Sequence, residues 1–177
     1  MSAVLKTWRF PLAAAVIYIL LAFFNMQLFI TALDITWSGT LEMLSVLPPI
    51  FILLGLLDVW VPKDVMVRFM GTGSGIRGAA TAFLLGSAAA GPLYGAFPVA
   101  SVLMKKGASF FNILVFIGAW STTKIPMFLF ELQALGAPFA LTRLAVNIPG
   151  ILIIAKLISS MLSDEYIQEI YANAEKR

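Results

Sequence analysis

The sequence predicts an all-α integral membrane protein with four to five transmembrane helices, two of them discontinuous, in a single membrane domain spanning residues 1–177. Three observations carry this. The chain is 60% hydrophobic and only 12% charged, with a mean hydropathy of +0.95; a soluble domain carries about 25% charged residues and needs them to cover its surface. The apolar residues fall in five runs, 10–32, 43–61, 78–104, 108–134 and 138–161, each near the roughly 20 residues a helix needs to cross hydrocarbon. None of the runs alternates as a barrel strand would. Two of them are interrupted, at 91–98 and 121–126, by residues that do not hold a regular helix.

The first run follows Lys6 and Arg9, which place the N-terminus on the cytoplasmic side. It is longer than the apolar part of a secretory signal, and no small-x-small cleavage site follows "FFNMQLFI", so a retained helix is expected. The next segment, "LDITWSGTLE", holds Asp34 and Glu42 but no Lys or Arg, and reads as an outer loop with Trp37 at the interface. The second run begins or kinks at Pro48 and Pro49. It leads into "VPKDVMVRFMGTGSGIRG", whose Lys63, Arg68 and Arg77 read as cytoplasmic. Within it a short surface helix starts near Pro62, with Val61, Val65, Met66 and Phe69 on one side.

The third run admits two topologies. If it spans, Lys105 and Lys106 lie outside, the positive charges divide evenly, and an antiparallel dimer is implied. If it re-enters, with its tip at "GPLYGAFP", Lys105 and Lys106 return to the cytoplasm and the charge clusters share one side. The re-entrant form is preferred because it accounts for every cluster. Asn147, Pro149 and Gly150 make a further irregularity in the last run, read as a packing kink ahead of a ligand site. Residues 163–177 form a short surface helix: Ser163 suits its cap, Asp164 and Glu165 its first turn, and Ile167, Ile170, Tyr171 and Ala174 an apolar stripe.

The two breaks are the candidate site. Irregular backbone at membrane depth is tolerated only where protein covers it or a wet cavity receives it. Gly91, Pro92, Gly95 and Pro98 make the first break; Ser121, Thr122, Thr123 and Pro126 make the second. Half-helices are expected to start near Pro98 and Pro126 and to turn their positive ends into the breaks. Lys124 sits in the second. A charge there costs on the order of 2.5–3.5 kcal/mol by insertion scales unless it is paired or wet, so Lys124 beside a helix N-terminus fits an anion or the acidic end of a zwitterion. The substrate-binding candidates are Lys124, Ser121, Thr122, Thr123, Tyr94, Gly91, Gly95 and Pro98. The alternatives are that Lys124 snorkels or pairs with Glu131, that "GPLYGAFP" is only a packing kink, and that Arg143 either snorkels or pairs with Glu131.

With no Cys and no His, disulfides, thiolate chemistry and imidazole ligation are excluded. "GSGIRG" lacks the strand and soluble βαβ unit a dinucleotide site requires. "STTK" lacks the companion motifs of the penicillin-interacting enzymes, although a Ser121–Lys124 hydrolytic pair is the minor enzymatic reading. No enzyme activity, cofactor, metal or nucleic-acid partner is expected.

Residues 84–127, "LLGSAAAGPLYGAFPVASVLMKKGASFFNILVFIGAWSTTKIPM", resemble the predicted permease family that includes the YraQ-type proteins and the ArsP-type organoarsenical exporters. The shared features are a Gly-Pro break, a proline opening the next half-helix, a Lys-Gly turn and a polar break ending in proline; a weaker likeness extends over about 43–160. Full-length members look like two related halves, so the resemblance implies a half-length chain that rebuilds the pair as a homodimer. Members often carry cysteines at the first break, and this chain has none, so a thiol-binding arsenical cargo is not carried over. The expectation is a permease of a small, anionic or zwitterionic solute in the plasma or inner membrane. The alternative is a non-transporting membrane subunit that anchors or regulates a larger complex.

Overall fold

The computed structural model describes residues 3–89 and 91–175, and every regular element among them is helical. The chain divides into two compact units, Met1–Leu47 and Pro48–Arg177. In the first unit, helix α1 (Ala3–Phe24) is followed by the start of α2 (Met26–Trp60). The run expected as one helix over 10–32 is interrupted at Asn25, whose side-chain Oδ1 accepts from the Leu28 amide at 3.1 Å, the behaviour that makes asparagine a favoured cap. The chain reverses there: the Tyr18 hydroxyl donates to the Ala32 carbonyl at 3.1 Å and its ring meets Phe29 edge-on at 6.3 Å.

The expected outer loop "LDITWSGTLE" lies inside α2. Its polarity was misleading because the hydroxyls are absorbed by the helix itself: Thr36 donates to the Ala32 carbonyl at 2.8 Å and Thr40 to the Thr36 carbonyl at 2.7 Å. Pro48 and Pro49 also lie within α2 rather than at its start.

The second unit holds the remaining elements. Helix α3 (Lys63–Met70) is capped by Pro62 and buries Met66 and Met70, while Val65 and Phe69 face outward. The expected apolar side therefore divides: Val65 and Phe69 face outward, whereas Met66 turns inward. Helix α4 (Gly75–Ala88) and helix α5 (Ala96–Lys105) follow, joined through a single 3-10 turn, Leu93–Gly95. Then come α6 (Phe110–Thr122), α7 (Ile125–Ala134), α8 (Ala137–Met161) and α9 (Asp164–Glu175). Pro138 and Pro126 sit in the first turns of α8 and α7, where a missing N–H costs nothing.

Helices α4 and α6 make the core. Gly86 lets them touch: a Cβ there would strike the Phe116 carbonyl, Ala119 Cβ at 2.9 Å and Trp120 N at 3.0 Å. Phe116 and Trp120 are buried against each other, edge-on at 5.5 Å. Gly118 admits Ile151 of α8 in the same manner.

Both ends of the α4–α5 segment are tied to one place. Asn112, only 2% exposed, donates from Nδ2 to the Met70 carbonyl at 2.8 Å and to Ser74 Oγ at 3.0 Å. The Ser109 amide donates to the Met70 carbonyl at 2.7 Å, and Lys106 Nζ to the Val61 carbonyl at 2.7 Å. So α4 leaves the 61–74 region and α5 returns to it: the pair is a helical hairpin. Helix α9 docks on this base, its Tyr171 hydroxyl donating to the Ala108 carbonyl at 2.6 Å. The second half of the chain leaves much apolar surface outward: on α8, Ile153 is 58% and Met161 82% exposed. The helices Phe110–Ala134, counted through the interruption, and Ala137–Met161 are long and apolar enough to cross a bilayer.

Two outcomes are expected. Gly86→Val forces α4 from α6 and lowers stability by about 1–3 kcal/mol, the usual cost of overpacking, read as thermal unfolding in detergent. Burial pushes the Tyr171 hydroxyl up to about 12 from its ordinary 10.0. Because the folded value is the higher one, its contribution is complete below pH 10 and is lost as the pH rises from there through about 12. Hydrogen exchange over residues 164–175 accelerates in that window, and Tyr171→Phe loses the alkaline component.

Candidate functional site

Helix α4 stops where Pro92 has no N–H to give the Ala88 carbonyl, four residues back. Ala89 is extended, and Gly91 takes φ +97°, a left-handed conformation that glycine alone adopts without strain. The 3-10 turn then restarts the chain, and α5 opens at Ala96, two positions before the proline expected to open it. Helix α6 stops for the same reason: Pro126 has no N–H for the Thr122 carbonyl. Thr123 and Lys124 lie outside regular helix, and α7 opens at Ile125.

Carbonyls in both breaks are reached by side chains from other elements. Lys124 Nζ donates to the Gly91 carbonyl at 2.5 Å. Trp120 Nε1 donates to the Pro92 carbonyl at 3.2 Å, which also accepts the Gly95 amide at 3.1 Å. Ser87 and Thr123 share a buried hydroxyl–hydroxyl bond of 3.0 Å. Arg143 of α8 donates from Nη2 to the orphaned Thr122 carbonyl at 2.8 Å and from Nη1 to Glu131 Oε1 of α7, an ion pair in which Glu131 is buried and Arg143 partly exposed. The two interruptions therefore lie against each other, with the half-buried ammonium of Lys124 between them.

The sequence-derived residues distribute unevenly. Gly91, Lys124 and Thr123 come together at the contact. Gly95 is buried beside Trp120 and Ile50. Pro98 lies in the first turn of α5, Tyr94 on the outer side of the 3-10 turn, and Ser121 is exposed. The hydroxyls of Ser121 and Thr122 return to the Gly118 carbonyl, at 3.2 and 2.9 Å, and that of Thr123 to Ala119 at 3.0 Å. Of the alternatives for the charges, Glu131 takes Arg143 as its partner, and the Lys124 ammonium goes to a neutral carbonyl.

Sequence reasoning missed Ser87 and Trp120 as members of the site. The carbonyl that a proline frees four residues earlier leads to Arg143, which answers Thr122, and not to Ser87 or Trp120, whose partners are Thr123 and Pro92. Among the described residues no cluster of acidic groups suits a metal ion.

The described residues are helical throughout their regular elements, with long apolar helices and two interruptions that lie against each other. The family described as predicted permease, ArsP_1, matches residues 28–177, and the chain belongs to that family. No curated protein and no solved structure matches it.

Removing Arg143 strands a buried carboxylate and a carbonyl together. Arg143→Ala is expected to lower stability by about 3–5 kcal/mol. Adding Glu131→Gln to it restores much of the loss, as measured by denaturant unfolding in detergent.

Proposed function

We propose that this protein is a permease for a small anionic or zwitterionic solute, held where the two interruptions meet, with Lys124 as the charged ligand. The observation that carries the reading is the contact of Lys124 with the Gly91 carbonyl. An ammonium on a neutral carbonyl keeps its whole charge unbalanced, and a solute carboxylate or phosphonate would exchange that bond for a stronger, charge-assisted one. Lys124 also stands at the N-terminus of α7, whose dipole favours an anion. The finer proposal is that the α4–α5 hairpin is re-entrant. It is supported by the return of Lys106 to Val61 and of Ser109 to Met70, which brings Lys63, Arg68, Lys105 and Lys106 to one end, as a cytoplasmic face requires. The N-terminus is then cytoplasmic, in the cell membrane. A homodimer follows from the exposed Ser121 beside the break, since irregular backbone at membrane depth must be covered by protein.

One observation favours a second reading. The Lys124–Gly91 bond also serves as a structural staple, and in a non-transporting subunit it would be nothing more. A thermal-shift screen of the purified protein against small carboxylates, phosphonates and zwitterions separates the two. A binder present at 100 times its Kd stabilises by about 2.7 kcal/mol. The permease reading expects such a shift in wild type and its loss in a folded Lys124→Met, with solute uptake into proteoliposomes lost in parallel. No shift with any solute, together with a Lys124→Met at least as stable as wild type, would leave the subunit reading standing.

A further inference from the structure

Glu131 is 6% exposed, on a helix the chain places among apolar residues. Arg143 holds its Oε1, and its Oε2 is buried with no hydrogen-bond partner. Glu131 faces a cavity of about 10 Å³ lined also by Thr122, Thr123, Arg143 and Asn147, space for about one water and with polar groups to hold it. Arg143 and Asn147 also border an open, largely apolar recess along one face of α8, with Phe139, Thr142 and Val146. The guanidinium bridges a carboxylate with a vacant acceptor and the Thr122 carbonyl at the second interruption. The charged groups near the pair are few. Helix α6 has none, α7 has Glu131 alone, and α8 has Arg143 and, far along it, Lys156. Lys124 precedes Glu131 by two turns, about 10 Å.

We propose that Glu131 is the proton-binding site that couples this permease, and that its protonation frees Arg143, which already reaches the second interruption through the Thr122 carbonyl, to hold the anionic solute there. A proton adds to Oε2, giving a neutral carboxylic acid; no other covalent bond forms or breaks. The guanidinium keeps the Thr122 carbonyl and loses its counter-charge, which the anionic solute restores. One proton and one negative charge enter the site together. Loss of the proton regenerates the carboxylate, which takes back Arg143 and expels the solute. A metal cation suits the place poorly, because the guanidinium already occupies the carboxylate. The proposal rests on the permease reading and adds the coupling ion and a second anion ligand to it.

The test uses the full chain reconstituted in liposomes and the proton itself as ligand. Infrared difference spectra are recorded between about pH 4 and 9. Hydrogen exchange of residues 125–134 is followed in the same range, corrected for the intrinsic pH dependence. The expected result is a protonated-carboxyl band, one group per chain, that titrates in wild type and is missing from Glu131→Gln, with exchange in α7 rising as the band grows and already high in the variant. Should Glu131→Gln fail to fold, Glu131→Asp displaces the band instead of deleting it. No titrating band that belongs to residue 131, or a band that titrates while α7 exchange stays constant, overturns the proposal. Either result leaves the permease reading untouched, because the solute screen reads binding through Lys124.

Discussion

Every backbone carbonyl that a proline frees within an apolar environment has to find another donor, and the second unit of this protein is organised around that demand. Water is not there to supply one, and an unmet carbonyl costs several kcal/mol. Pro92 and Pro126 each end a helix. Arg143 answers the Thr122 carbonyl freed by Pro126, while Lys124 and Trp120 answer the Gly91 and Pro92 carbonyls inside the first break, each from an element other than the one that was broken. The same bonds that satisfy the breaks also hold them together, so the strain of two interruptions becomes one polar locus in an otherwise apolar bundle.

Two cations end up at this locus with different company. Arg143 is neutralised by Glu131, and its remaining bond to Thr122 ties α8 to the end of α6. Among the described residues, Lys124 meets a neutral carbonyl oxygen. Local charge is therefore positive beside the N-terminus of α7. Gly86 and Gly118 matter to this arrangement because they bring α4 and α8 close enough to α6 for such short side-chain reaches.

The breaks themselves were legible, and the reason is local. A proline acts on the carbonyl four residues earlier, and a glycine marks a left-handed turn, so "GPLYGAFP" and "STTKIP" announce helix ends without any knowledge of neighbours. The first unit shows the limit of such reading. Hydropathy ran straight through Asn25, where a single side chain caps α2, and the polar stretch after Leu33 looked like a loop although its threonines bond back to their own helix. Average polarity does not register where a hydroxyl or an amide is directed. Buried polar residues such as Asn112 were passed over for the same reason.

What the sequence alone determined was the class of environment, the positions of the interruptions and the chemistry excluded by the absence of cysteine and histidine, because these depend on composition and on residues within a turn of one another. Only the tertiary structure decided that Lys124 reaches Gly91, 33 positions away, that Arg143 rather than Lys124 takes Glu131, and that both ends of the α4–α5 segment return to one place. Those choices are made by helix packing. Many donors could satisfy a freed carbonyl, and which one does so depends on which helices lie close enough to deliver it.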